Sequence, residues 1–171
     1  MRARFILALI FFASLSVNAQ VISQVYGGGG NVGATYTNDF IEIFNNTQTA
    51  INLTGYSVQY SPANSTAPTT NTFVLVAALS GIIQPGQYYL IQANSSGPVG
   101  NALPTPDATG NTNLGAQDGK VILVSTITPV PTTGIVLDFV GYGGANCAEG
   151  IAETGVGSTT TNGGTNAKSI V

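Results

Sequence analysis

The chain has 171 residues, of which 6% are charged and 43% apolar, and it contains 22 glycines, one cysteine and neither histidine nor tryptophan. Without histidine, and with a single cysteine, it lacks the side chains for His/Cys zinc sites, Ser-His-Asp triads and Cys-His dyads. Its four lysines and arginines are too few to hold a polyanion, so no nucleic acid is expected as a partner. The apolar content is too high for a disordered chain. These exclusions leave a folded, weakly charged domain without catalytic groups.

The first 19 residues have the three parts of a secretory signal peptide. Arg2 and Arg4 supply a basic start, an apolar run over 5–13 follows, and small residues precede a cleavage point after Ala19. The apolar run is shorter than the roughly 20 residues that a membrane-spanning helix needs. Gly, Pro, Asn or Asp interrupt every later apolar stretch, so no membrane span is expected in the mature chain. We therefore expect a mature protein that is secreted or held at the cell surface.

Removal of residues 1–19 makes the chain more acidic. Two cations remain, Lys120 and Lys168, against seven carboxylates, which gives a net charge of −5. The seven acidic residues are Asp39, Glu42, Asp107, Asp118, Asp138, Glu149 and Glu153. Such a surface disfavours polyphosphates and anionic membranes, so the expected partner is a protein or another component of the cell surface. The length suffices for one domain, assigned to 20–154, and the Gly/Thr/Asn-rich segment 155–171 is expected to be flexible.

Short runs of β-branched and aromatic residues recur between turn signals along the body of the chain. They predict strands at 21–26, 39–44, 51–53, 56–60, 72–76, 81–83, 88–92, 120–124 and 135–140. No window has the apolar spacing of a three-turn amphipathic helix. Many short strands with closely spaced turns predict an all-β fold, an antiparallel β-sandwich of about eight or nine strands.

One of these strands alternates clearly between apolar and polar residues. Tyr56, Val58 and Tyr60 share one face. Ser57 and Gln59 lie on the other face, and this alternation predicts a half-buried sheet.

The connections between strands carry their own signals. Pro85 and Gly86 match the central pair of a type II turn. The segments 61–71 and 95–117 are predicted to be long loops, and loops of this length are either functional or poorly ordered. The glycine-rich segment 27–33 precedes neither a Lys-Ser/Thr pair nor a helix, so a flexible hairpin or bulge is expected there instead of a phosphate-binding loop.

Cys147 is the single cysteine of a chain that is expected to be exported. It fits either a buried free thiol or one half of a disulfide whose other cysteine lies outside these 171 residues, and both interpretations stay open. A catalytic thiolate needs a neighbouring base or cation to lower its pKa, and no histidine is present to act as one.

Glu42 and Asp138 lie within predicted core strands. Because a buried unpaired charge is costly, we expect structural carboxylates that are satisfied by backbone N–H groups or hydroxyls or, for Asp138, by Lys120 or turn amides. A role in binding a ligand is the alternative interpretation for both residues. Asp39 adds a third carboxylate, but nothing in the spacing selects a pair of the kind that glycosidases use. No catalytic or cofactor-binding residue is therefore assigned.

Two acidic residues, Asp107 and Asp118, lie in or beside the second long loop, where carboxylates can bind calcium. The compact acidic string of a calcium-binding loop is absent from the sequence, so solvated loop acids are the favoured interpretation. No metal or other cofactor is assigned.

Four segments carry motifs in a fixed order: Asp39-Phe-Ile-Glu-Ile-Phe-Asn45, Ile51-Asn-Leu-Thr-Gly-Tyr-Ser-Val58, Ile83-Gln-Pro-Gly-Gln-Tyr-Tyr-Leu90 and Val136-Leu-Asp-Phe-Val-Gly-Tyr-Gly143. The first is similar to an acidic-aromatic strand that ends in Asn, and the second to an apolar-x-Leu-Ser/Thr-Gly-aromatic step. The third is similar to a Pro-Gly turn before a core strand, and the fourth to a late Val-x-Asp-x-Val-x-Tyr-Gly strand. Together they resemble the lamin tail domain family in its bacterial secreted form, over about residues 21–146.

The resemblance implies an immunoglobulin-like β-sandwich without a catalytic centre. In bacterial exported proteins such domains commonly accompany hydrolases, including nucleases and phosphoesterases, as attachment or interaction modules. Relatives continue with a closing strand that carries a basic residue and with an Asp/Asn-rich tail that often holds a second cysteine. This chain stops at 167–171, inside that strand, so we expect a fragment or a truncated gene product. The partner of Cys147 would then lie in the missing part.

The leading hypothesis is an exported interaction module that forms the front portion of a larger extracellular or surface hydrolase. Its rival is a self-sufficient structural or adhesive protein, favoured by the low charge, which leaves sheet edges poorly protected against strand addition. Carbohydrate binding is a third hypothesis and needs an exposed aromatic platform. Tyr36 and Tyr142 are the two tyrosines outside apparent core positions.

Overall fold

Ten short strands make up the regular structure of residues 20–65, 73–130 and 136–146, the part of the chain that the computed structural model describes. They are β1 (Gln20–Tyr26), β2 (Phe40–Asn45), β3 (Ile51–Asn52), β4 (Ser57–Ser61), β5 (Val74–Ala78), β6 (Ile82–Ile83), β7 (Tyr88–Gln92), β8 (Ala108–Thr109), β9 (Gly119–Val124) and β10 (Val136–Tyr142). No helix occurs in these ranges. The all-β prediction is confirmed, and each predicted strand has a counterpart.

The strands form two main sheets. The first sheet has the order β1-β2-β7-β8, the second has the order β10-β9-β4-β5, and β3 pairs with β6 in a separate short ribbon. All pairings are antiparallel except that of β7 with β8, which is parallel. The predicted antiparallel sandwich is therefore confirmed. β8 is the additional strand, and it lies within the segment that the sequence predicts as a long loop.

A hydrophobic core fills the space between the two sheets. Ile41 and Ile43 of β2 and Ile91 of β7 enter it from the first sheet. Val58 of β4 and Leu123 of β9 enter it from the second sheet, and all five side chains are fully buried. Each such buried aliphatic side chain contributes about 1.5–3 kcal/mol to folding, so this layer is the main source of stability.

The outer face of the second sheet is covered by the segment that follows β9. Ser57 and Gln59 project there and are fully buried. Gln59 donates through Nε2 to the Thr128 carbonyl at 2.9 Å and accepts the Val130 N–H at 2.9 Å through Oε1. A second apolar cluster lies on the same face, made of Phe73, Ile122, Val124, Val130 and Phe139. The prediction of a half-buried sheet is wrong here, because a loop from elsewhere in the chain satisfies the polar side chains.

The turn before β7 has the predicted form. The Gln87 N–H donates to the Gln84 carbonyl at 3.1 Å, and Gly86 has a φ of 71°. A positive φ at the third position is the mark of a type II turn, and Pro85 fixes the φ that precedes it. The sequence therefore predicted this turn correctly.

The glycine-rich segment 27–33 is the first part of the connection 27–39 between the antiparallel strands β1 and β2, as the hairpin prediction requires. It is a packed connection, not a flexible one, because Gly27 to Gly30 are buried. Gly30 also forms an isolated bridge with Val99, within the segment 95–117. The two connections therefore pack against each other.

Several predictions fall outside the described residues. The signal peptide at 1–19, Cys147, the domain boundary at 154 and the segment 155–171 all lie there. Most of the predicted loop 61–71 also lies outside, although Ser61 itself belongs to β4.

Side chains and close backbone contacts join the edges of the two sheets. On one side, the Asp138 carboxylate of β10 accepts the Ile22 N–H of β1, next to a shift in the β1–β2 register. On the other side, Gly110 follows β8 and lies against the backbone of β5. The Thr112 hydroxyl also donates to the Leu75 carbonyl at 3.0 Å. At these points the chain itself uses edge groups that could otherwise accept a foreign strand.

Replacement of Gly110 by alanine tests the close contact between Gly110 and the backbone of β5. A Cβ at Gly110 would lie 1.9 Å from the Val76 carbonyl oxygen, so Gly110→Ala should lower the free energy of unfolding by about 2–3 kcal/mol. Gly86→Ala is the matched control, because an added Cβ there meets nothing within 4 Å. Its positive φ should cost about 1 kcal/mol. Urea unfolding followed by tyrosine fluorescence measures both variants, and equal losses would contradict the close contact.

Candidate functional site

The outer face of the first sheet carries a pocket of about 300 Å³, here called the aromatic pocket. The sheet supplies five of its lining residues: Gln24, Tyr26, Phe40, Glu42 and Leu90. Connecting segments supply the others: Tyr36, Leu103 and Pro104. The strand register places Gln24 and Leu90 on either side of Glu42. The carboxylate of Glu42 is therefore central to the floor of the pocket.

Three aromatic rings form one corner of the aromatic pocket. Tyr26 and Phe40 are cross-strand neighbours, and their rings stack with centroids 5.2 Å apart and 20° between the planes. The plane of the Tyr36 ring is nearly perpendicular to both, and its centroid lies 6.0 Å from that of Tyr26 and 5.8 Å from that of Phe40. Tyr26 and Phe40 are buried, whereas Tyr36 is half-buried. The Tyr36 ring is therefore the most accessible of the three to a ligand.

Backbone hydrogen bonds hold this corner in place. The Tyr26 hydroxyl accepts the Thr35 N–H at 3.0 Å. The Asn101 N–H donates to the Thr35 carbonyl, and the Thr37 N–H donates to the Asn101 carbonyl, both at 2.9 Å. These bonds fix the segment that carries Tyr36 against the segment that carries Leu103. A ligand would therefore meet a site that needs little ordering on binding.

On the β7 side of the pocket, Asp107 is bonded to the backbone of Leu90. Its N–H donates to the Leu90 carbonyl at 2.9 Å, and its carboxylate accepts the Leu90 N–H at 2.8 Å. Because Leu90 is part of the pocket floor, the exposed Asp107 carboxylate lies beside that floor. Asp118 instead precedes β9 and lies against Gly143. Within the described residues, no group of three or more His, Cys, Asp and Glu side chains could hold a metal ion.

The Glu42 carboxylate makes one hydrogen bond within the described residues. Its Oε1 accepts a hydrogen bond from the Ser23 hydroxyl at 2.8 Å, which matches the expectation of a carboxylate satisfied by a hydroxyl. Lys120, the one cation in the described ranges, belongs to the second sheet. Its Nζ donates to the Ser65 carbonyl at 2.9 Å and to Asn146 Oδ1 at 2.8 Å. Glu42 therefore borders the pocket without a described basic side chain beside it.

Asp39 immediately precedes β2 and is fully buried. Its two carboxylate oxygens accept the Gly29 N–H at 2.7 Å and the Leu114 N–H at 2.8 Å. Burial raises the pKa of Asp39 to about 6, and the two backbone hydrogen bonds only partly oppose this shift. Because the backbone occupies both oxygens, Asp39 is a structural residue.

Asp138 is also engaged by the backbone. Its carboxylate accepts the Ile22 N–H and the Phe139 N–H, which agrees with the expectation of a structural carboxylate. Glu42 and Asp138 thus contact neighbouring residues of β1, Ser23 and Ile22 respectively.

Tyr142 lies in the core and is only 1% exposed, so its prediction as a candidate surface aromatic is wrong. Its hydroxyl donates to the Gly115 carbonyl at 2.8 Å, while the Gly115 N–H donates to the Tyr60 hydroxyl at 3.0 Å. Burial raises the pKa of Tyr142 well above its ordinary value. Tyr36, the other tyrosine singled out from the sequence, does line the aromatic pocket.

The sequence did not indicate the remaining lining residues. Gln24, Leu90 and Pro104 belong to no motif that is diagnostic of a site. One signal was present in β2, where Phe40 and Glu42 share the face opposite to Ile41 and Ile43. A strand with aromatic residues on its outward face is a candidate for a binding surface.

The raised pKa of Asp39 predicts a pH dependence of stability. Between the ordinary value of 3.8 and about 6, the folded protein holds a proton that the unfolded chain has released. The free energy of unfolding therefore falls as the pH rises through this window. The variant Asp39→Asn carries an amide at this position, which cannot titrate. Relative to this variant, the free energy of unfolding of the wild type should fall by about 3 kcal/mol between pH 3.8 and about 6. Urea unfolding at half-unit pH steps measures the difference, and parallel curves for the two proteins would contradict the raised pKa.

Comparison with known proteins identifies the family. A family model described as Lamin Tail Domain matches residues 16–144, a range that includes all ten strands and the four motif segments. No curated protein matches the chain. The family is characterised by a non-catalytic, immunoglobulin-like fold, which agrees with the two-sheet sandwich. The chain belongs to the lamin tail domain family, and its fold is an immunoglobulin-like β-sandwich.

Proposed function

We propose that this chain is an exported, non-catalytic interaction module that attaches to a protein or to another component of the cell surface. The observation that carries the proposal is the preformed aromatic pocket on the outer face of the first sheet. Its rings and carboxylate border a recess on the outer face of the sheet, so they can make contacts with a partner. Membership of a family with a non-catalytic fold supports binding as the task of the domain.

The surface beside the aromatic pocket supports the same role. Phe44 and Tyr88 lie opposite each other in the β2–β7 register, and their ring centroids are 4.7 Å apart. Tyr88 is 59% exposed. Aromatic side chains are enriched at protein interfaces because they offer a large contact area at little cost in entropy. The aromatic pair therefore extends the candidate contact surface along the sheet.

The charges favour a protein over a nucleic acid as the partner. Lys120, the single cation of the described ranges, is fully buried, while the same ranges contain five carboxylates. A phosphate backbone would meet no described basic side chain at the surface. In these ranges there is also no helix with the length and hydrophobicity to cross a membrane.

The proposal includes two further points: the protein is exported, and its domain accompanies a hydrolase. The pattern of residues 1–19 supports export with cleavage after Ala19. The family resemblance supports a role beside a nuclease or phosphoesterase, with the chemistry carried by the other domain. Catalytic groups of that kind would then be found outside the sandwich.

The competing function is that of a self-sufficient adhesive protein that assembles by strand addition. Two observations speak against assembly at the sheet edges. The Ile22 N–H is bonded to Asp138, and the Leu75 carbonyl accepts from Thr112. Edge groups that already have partners are poor templates for a foreign strand.

One expression experiment tests the proposal. The whole gene is expressed in a bacterial host, and the exported protein is analysed by intact mass and by light scattering over a hundredfold range of concentration. We expect an N-terminus at Gln20 and a constant monomer mass. A retained Met1 in protein confined to the cytoplasm would contradict export. Growth of the particle mass with concentration would contradict the module and support the adhesive alternative.

A further inference from the structure

Glu42 is the one charged side chain that lines the aromatic pocket. Its Oε1 accepts from Ser23, and within the described residues no donor reaches Oε2. The side chain is half-buried, so water screens its charge less than it would screen a fully exposed carboxylate. A ligand that brings a positive charge to Oε2 would gain a charge-assisted hydrogen bond.

The charges around the aromatic pocket have the same sign as Glu42. The exposed Asp107 carboxylate lies on the other side of Leu90 from Glu42. Within the described ranges the one cation, Lys120, is in the other sheet. Glu42 and Asp107 therefore give this face a negative potential, and a cationic partner is the complement of that potential.

The walls of the aromatic pocket suit a planar cation that is carried on a methylene chain. The half-buried Tyr36 ring offers a surface on which a guanidinium can stack. Leu90 and Leu103 offer apolar contact for a methylene chain. A volume of about 300 Å³ is at the small end of ligand sites, which fits one side chain better than a segment of a polymer.

From these contacts we propose that the aromatic pocket binds an arginine side chain presented by a partner protein, with its guanidinium bonded to Glu42 and stacked on Tyr36. The inference rests on the proposed interaction module and names the chemistry that its partner must present. Arginine fits better than lysine because its planar fork can bond a carboxylate through two N–H groups while it stacks on a ring.

NMR titration of the ¹⁵N-labelled mature protein tests this proposal. The probe is N-acetyl-arginine methylamide, and the reference is the citrulline analogue, which is nearly isosteric and uncharged. We expect saturable shifts of the Gln24, Tyr36 and Glu42 amide signals with the arginine probe. Binding of the citrulline analogue should be at least tenfold weaker. Raising the salt to 0.5 M should weaken the arginine probe several-fold.

Two variants separate local contact from overall charge. Glu42→Gln keeps the shape of the side chain and should weaken the arginine probe at least tenfold. Asp118→Asn removes the same charge from the approach to β9 in the second sheet and should change the affinity less than twofold. If Glu42→Gln fails to fold, the comparison of arginine with citrulline on the wild type still decides the question.

Three results would overturn the inference: equal affinity for arginine and citrulline, equal losses in the two variants, or saturable shifts of the pocket signals with N-acetylglucosamine instead of arginine. The last result would assign the site to carbohydrate. None of them bears on the proposed module itself, because export and monomeric state are measured independently by mass and light scattering.

Discussion

A buried carboxylate between two backbone amides holds the long connections of this domain to its sheets. The Asp39 side chain accepts the N–H groups of Gly29 and Leu114. Its main chain donates to the Asn94 carbonyl and accepts from the Ala93 N–H, both at 2.8 Å. One residue therefore joins the β1–β2 connection, the end of β7 and the segment before β9. Without the carboxylate, two buried amides would lose their partners, at about 1–3 kcal/mol each.

The aromatic pocket depends on this junction. Phe40 directly follows Asp39, and Tyr36 lies in the connection that Asp39 holds through Gly29. The backbone bonds of Asn101 with Thr35 and Thr37 then position the wall of the pocket. The pocket therefore depends on long-range backbone pairing around Asp39, a buried acid that does not itself line the pocket.

The family motifs and the turns were predictable because their signals are local. Asn45, the last residue of the first motif, donates through Nδ2 to the Thr49 and Ile83 carbonyls at 2.9 and 3.1 Å, so the motif marks a structural junction. The sequence could not predict the burial of Gln59 or the pocket, since both arise from segments far apart in the chain. Gln59 is covered by the segment after β9, and Leu103, which lines the same pocket as Glu42, belongs to a segment that the sequence predicted only as a long loop. Local composition indicates strands and turns but does not indicate which loop folds over which face.

Amide hydrogen exchange at neutral pH tests the role of Asp39 most directly. In the wild type, the Gly29 and Leu114 amide protons should exchange as slowly as those of Ile41 and Ile91 in the core strands. In Asp39→Ala the same two protons should exchange at least a hundredfold faster, while the core strands stay protected. Rapid exchange of both protons in the wild type, or unchanged protection in the variant, would contradict the account.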